Sequence, residues 1–209
     1  MRSLIATELF KLRTSRAPWI ILLVQQVLIA AGMSGLAVAG EYRDGTIIDT
    51  FLSTPRRSRV LAAKLVAYTG LGLVYGVLSA ITALIVAALW FASKGVAFDP
   101  ADAQVWQTLV GVALWMPLYA AIGVALGALV RNLGAAIAIS FAWIALVEGI
   151  AMNLLGDFGR WLPMASGMAL DNLPQGNLLP QVTGGLVLAA YAVLFAVLAN
   201  LATTRSDVA

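Results

Sequence analysis

The chain has 209 residues, of which 61% are apolar and only 11% charged, against roughly 25% charged in ordinary soluble domains. Thirteen basic and ten acidic side chains cannot supply the polar shell that a soluble domain of this length needs. A mean hydropathy of +0.92 excludes disorder, which requires low hydrophobicity and high charge. The composition is that of a membrane protein with a few spanning helices. Cysteine and histidine are both absent, which removes disulfides, thiolate metal sites, cysteine nucleophiles and every Ser–His triad.

In chain order, Ser3 to Arg16 reads first as a short amphipathic helix. Ile5, Leu9 and Leu12 share one face, with Lys11, Arg13 and Arg16 on the others, a pattern that suits the headgroup boundary. The first apolar run follows, Pro18 to Gly40, 23 residues long. The polar segment Glu41–Lys64 comes next. In it Gly45 and Thr46 precede an apolar face of Ile47, Ile48, Phe51 and Leu52. Thr46 with Asp49 makes a capping-box-like start. Pro55 ends that short helix, and Ser58 is placed to cap the next one. Four more apolar runs follow: Leu65–Ser93, Ala103–Val130, Leu133–Gly156 and Val182–Thr204. Each is long enough for one crossing at about 20 residues, and in lipid a lone run must be helical. The predicted fold is one all-α membrane domain over 1–209 with about five hydrophobic helices. Asp157–Gln181 reads as a loop with prolines and glycines, its acids Asp157 and Asp171 serving turn and solvation roles.

Positive charge marks the cytoplasmic side. If all five runs cross, the basic residues split six to seven, which is no bias. If the first run does not change sides, Met1–Ala17 contributes four, Glu41–Lys64 five, and Arg131 and Arg205 one each. That places eleven inside and leaves only Lys94 and Arg160 outside. Cleavage after Ala37-Val38-Ala39, as in a signal peptide, would invert the bias to two inside and seven outside. The run Pro18–Gly40 is therefore re-entrant, interfacial, or the remainder of a longer arrangement.

The segments Glu8-Leu9-Phe10-Lys11-Leu12-Arg13, Gly40-Glu41-Tyr42-Arg43-Asp44-Gly45-Thr46, Leu52-Ser53-Thr54-Pro55-Arg56-Arg57 and Ala63-Lys64 together resemble the ABC-2 type permeases, the membrane subunits of bacterial ABC exporters. Glu148 and Arg160-Trp161-Leu162-Pro163 match as well. The resemblance implies an N-terminal amphipathic helix, six spans, and a coupling helix between the second and third spans. It assigns ATPase coupling to Glu41, Tyr42, Arg43, Gly45, Thr46, Phe51, Pro55 and Arg57. It also implies a P-loop ATPase partner that uses the ATP, a second membrane subunit in a homodimer or heterodimer, and a place in the bacterial plasma membrane with both termini cytoplasmic. The chain departs from the pattern by having one run where the family has two spans and an outer loop. A short, non-transporting variant is the alternative that this departure raises.

No G-x-x-x-x-G-K-[ST] occurs, so the chain has no P-loop ATPase of its own and binds no cofactor by this reading. Neither an enzyme nor a nucleic-acid-binding role is expected. Glu148 is the one ionisable residue well inside a run. An intramembrane acid is a functional candidate by default, here a translocation-path residue or a partner for Arg160. It is also the coupling acid of a rival reading, a small ion-coupled carrier. Gly72-x-x-x-Gly76 and Gly123-x-x-x-Gly127 allow close helix approach and read as packing. Pro117 is expected to kink its span, and Trp90, Trp106 and Trp161 lie near run ends as an aromatic belt does. Accessibility tags at Ala17 and Glu41 should report the same side of the membrane; opposite sides would make Pro18–Gly40 an ordinary crossing.

Overall fold

The computed structural model describes residues 57–95, 99–130, 132–143, 150, 154–172 and 177–205. These contain helices α1 (Arg57–Ser93), α2 (Ala103–Val130), α3 (Leu133–Ala142), α4 (Pro163–Leu170) and α5 (Gln181–Arg205), with a 3-10 helix over Gly156–Trp161 ahead of α4. No strand occurs among the described residues. Three helices, α1, α2 and α5, are long and apolar enough to cross a membrane. The chain is an all-α polytopic membrane protein. The N-terminal amphipathic helix, the run Pro18–Gly40 and the proposed coupling helix lie outside the described residues.

Local chemistry sets the helix ends. Asp102 caps α2, its Oδ1 accepting the Gln104 N–H at 2.9 Å, and Asn132 caps α3 by accepting from Ala135 at 3.0 Å. The second span begins earlier than expected. α1 starts at Arg57, so Ser58 lies inside its first turn instead of capping it. The reason is that the polar stretch before Leu65 has its own inward face. Val60 and Leu61 are buried there while Arg59 is exposed, and Pro55 just upstream is compatible with a helix beginning after it. α1 is 37 residues long, about 55 Å at 1.5 Å per residue, so it exceeds the roughly 30 Å hydrocarbon layer.

α2 is the hub. It touches α1, α3, α4 and α5, and 61% of its apolar window is buried, against 22% in each of α1 and α5. Two clusters run along it. One joins Trp115, Met116 and Tyr119 to Met168 of α4 and Leu188 of α5. The other joins Val124, Ala125 and Ala128 to Leu61 of α1 and Ala199 of α5. The second cluster brings the start of α1 together with the ends of α2 and α5. Arg59, Lys64 and Arg205 therefore share one end of the bundle. At the opposite end lie Trp90, with Lys94 Nζ 5.5 Å from its ring centroid, and the exposed Trp106. This is the division of charge and aromatics that a bilayer imposes on a polytopic bundle.

The α1–α2 seam depends on glycine. Gly72 lies where a Cβ would come within 2.9 Å of the Pro117 Cα, and Gly76 sits directly against the Ala113 carbonyl oxygen. Pro117 lies inside α2 and has no N–H, so the Ala113 carbonyl lacks its helical donor. Gly76 brings its Cα to that orphaned oxygen, a weak C–H···O approach that a side chain would block. The first of the two small-residue motifs thus serves packing. Gly123 and Gly127 of the second are buried in α2. Gly76→Ala should lower the thermal stability of the purified protein by an amount typical of overpacking, about 1–3 kcal/mol. Gly70→Ala, where nothing lies within 4 Å of the added carbon, should change it little; equal effects would contradict the seam.

Candidate functional site

The residues that bear chemistry gather around α4, in the stretch that its prolines and glycines made look like a plain loop. Leu162 is extended, with φ −65 and ψ 152, as a residue before proline tends to be. Pro163 then opens the helix at its first position, where a missing N–H costs nothing. Seven of the eight residues of α4 are buried. Several are small (Ala165, Ser166, Gly167, Ala169), which lets the helix wedge between α2 and α5. Gly167 packs on the Trp115 indole, Gly111 on the Leu170 carbonyl, and Gly184 would place a Cβ 2.7 Å from the Ser166 carbonyl oxygen. Position 167 faces 115 and position 170 faces 111, so α4 runs antiparallel to the first half of α2.

The helix ends where Asn172 turns to positive φ, 53°, a conformation asparagine tolerates. Its N–H donates to the Ala169 carbonyl at 3.0 Å. Gln181, the first residue of α5, ties this end down: its Nε2 donates at 2.8 Å both to the Leu170 carbonyl and to the Gln107 carbonyl. Asn172 Nδ2 adds a 3.4 Å bond to Gln107 Oε1. One amide side chain thereby links α2, α4 and α5.

Asp171 sits inside this knot. It is 0% exposed, and neither carboxylate oxygen has a hydrogen-bond partner among the described residues. It lies in the turn after α4, outside the three spanning helices. Burial pushes its carboxyl well above the ordinary carboxylate range, because an unpartnered charge away from water is far costlier than the neutral acid. The turn-and-solvation role expected for Asp171 is therefore wrong. Its neighbours Asn172 and Pro174 signal a surface turn, while the contact with Gly111 that buries it has no sequence signature.

Asp157 and Arg160 do meet solvent. Their ion pair is 4.0 Å long, with side chains 76% and 37% exposed, a geometry worth little. Asp157 Oδ1 also accepts from Asn177 Nδ2 at 3.2 Å. Arg160 thus has a local acidic partner; Glu148, the partner the sequence suggested, lies outside the described residues, as do Glu41, Tyr42, Arg43, Gly45, Thr46, Phe51 and Pro55. Arg57 is the first residue of α1, at the basic end of the bundle.

Beside the knot is an open cleft of about 800 Å³ between α1, α2 and α5. Leu73, Leu114, Leu118 and Leu186 supply apolar wall; Thr69, Gln107 and Gln181 are its polar side chains. Leu170 lines it too, so Asp171 is one residue behind the wall. No group of three metal-ligating side chains occurs among the described residues. The arrangement offers an apolar cavity with an amide rim and, behind it, a buried acid whose proton affinity is raised. No protein-family model, curated protein or solved structure matches the chain.

Proposed function

We propose that the chain is the membrane subunit of an ATP-driven exporter of the ABC-2 type, working with a second membrane subunit and a separate P-loop ATPase. The observation that carries this reading is the segment Glu41-Tyr42-Arg43-Asp44-Gly45-Thr46 with Pro55-Arg56-Arg57, which lies directly ahead of α1 in the sequence. α1 is a single rod of 37 residues, interlocked with the hub helix through Gly72 and Gly76. A push on residues 41–55 would reach α2 as rigid-body motion, since packed helices shift between discrete arrangements rather than deform. The cleft between α1, α2 and α5 would change shape when α1 tilts, which suits alternating access for an apolar or amphiphilic cargo.

In this reading the basic start of α1 and the end of α5 face the cytoplasm of a bacterial cell, where the ATPase resides. The lack of a P-loop in the chain assigns ATP hydrolysis to the partner. Purification of the intact protein from its native host in mild detergent should recover a P-loop ATPase, and Glu41→Ala with Arg43→Ala should abolish that recovery while leaving membrane insertion unchanged. Undiminished recovery in the double variant would remove the docking role. Transport that follows a proton gradient without nucleotide would favour the ion-coupled carrier instead.

A further inference from the structure

Asp171 does nothing in the coupling scheme above, and its position needs a different explanation. The carboxyl is fully enclosed. Both its oxygens are orphaned among the described residues. Its own N–H is occupied, donating to the Gly167 carbonyl at 3.0 Å. The carbonyl just before it accepts from Gln181 and lies on Gly111. The side chain is thus held against the α2–α5 junction by the backbone on either side of it, and no cation among the described residues meets it. Of the elements packed on α4, α2 carries one titratable side chain, Tyr119, and no charged one. α5 carries Tyr191, and Arg205 at its far end. The 3-10 helix carries Asp157 and Arg160, which pair with each other.

A carboxylate in such a place has two ways to avoid an unpaired buried charge. It can take up a proton, or the turn that carries it can leave the junction and reach water. The two are mutually exclusive, and the second breaks the Gln181 and Asn172 bonds that close the polar end of the cleft.

We propose that Asp171 is a proton-binding site that fastens the end of α4 against α2 and α5 when protonated and releases it when the proton leaves. The ligand is the proton itself, bound by one carboxyl oxygen; its loss leaves a carboxylate that only water can solvate. This role stands apart from the ATPase reading and would hold for a carrier of any energy source. The sign of the pH effect follows from the raised proton affinity of the folded state. The unfolded chain gives up the proton at lower pH, so the closed seam is most stable below the ordinary carboxylate range and weakens as pH climbs toward the raised value.

The chain has no cysteine, so a single introduced thiol reports one site. In the full chain reconstituted in lipid nanodiscs, the infrared band of a protonated carboxyl should persist above the ordinary carboxylate range and be absent from Asp171→Asn. Asp171→Ser serves the same subtraction. On raising the pH that band should disappear. Across the same interval Leu170→Cys, buried in the closed seam, should become more reactive toward a membrane-impermeant maleimide relative to exposed Ser93→Cys. The rise should approach roughly tenfold per pH unit below the midpoint, as the ionised fraction does. With Asp171→Asn in the background, the ratio should stay flat. A carboxyl that ionises within the ordinary carboxylate range, or a band that survives at every pH the protein tolerates, would overturn the proton site. A ratio that is flat in the parent, or that rises equally in the Asn background, would overturn the fastening role.

Discussion

Helices in this protein meet by setting a glycine of one against a backbone carbonyl of the next. Gly76 of α1 lies on the Ala113 oxygen of α2, Gly111 of α2 on the Leu170 oxygen of α4, and Gly184 of α5 near the Ser166 oxygen of α4. In a bilayer the hydrophobic effect no longer drives helix against helix, since lipid tails are as apolar as leucine. Association then rests on close packing and on polar backbone atoms that find positive edges nearby. Pro117 makes the first contact necessary, because it strips Ala113 of its helical donor in a place without water. The rest of the architecture hangs on α2 being approached this closely by α1 and α4, and on α5 closing against α4 in the same way.

The consequence for α4 is a short helix that could not span a membrane but is buried nonetheless. Its carbonyl end arrives at the α2–α5 junction, where the Gln181 amide bonds two carbonyls at once. An acid placed there is shut away from water by backbone contacts, with no partner charge among the described residues. Removing one partner from an ion pair in the interior usually leaves a costly lone charge; among the described residues Asp171 meets the same condition, and protonation is the inexpensive remedy. The apolar cleft next to it gains a wall whose firmness depends on whether that proton is present.

Much of the bundle was legible from the sequence. The run Ala103–Val130 coincides with α2 because Asp102 and Arg131 bracket an uninterrupted apolar stretch, and Val182–Thr204 falls one residue short of α5 at each end. The start of α1 was placed too late because the arginines, Ser58 and Lys64 interrupt the hydropathy without interrupting the helix. Of the fourth run, α3 covers Leu133–Ala142. α4 was missed for two physical reasons. Eight residues are below any spanning threshold, and Pro163 and Gly167 look like loop punctuation when one opens the helix and the other receives Trp115. Asp171 was misread because its burial comes from a contact 60 positions upstream in the chain, at Gly111. Of the site residues drawn from the sequence, Arg57 alone falls within the described helices, and its place at the basic end of the bundle agrees with the charge count.

The central claim is that α4 is seated on the first half of α2, with its C-terminal end at the α5 junction. The most direct measurement is intramolecular cross-linking of Gln107→Cys with Asn172→Cys in the native membrane, using a short bis-thiol reagent, in a chain that has no thiols of its own. The account predicts rapid, near-complete cross-linking for this pair and none for Gln107→Cys with Ser93→Cys under the same conditions. Failure of the first pair to cross-link in folded protein, or equal yields for both, would contradict it.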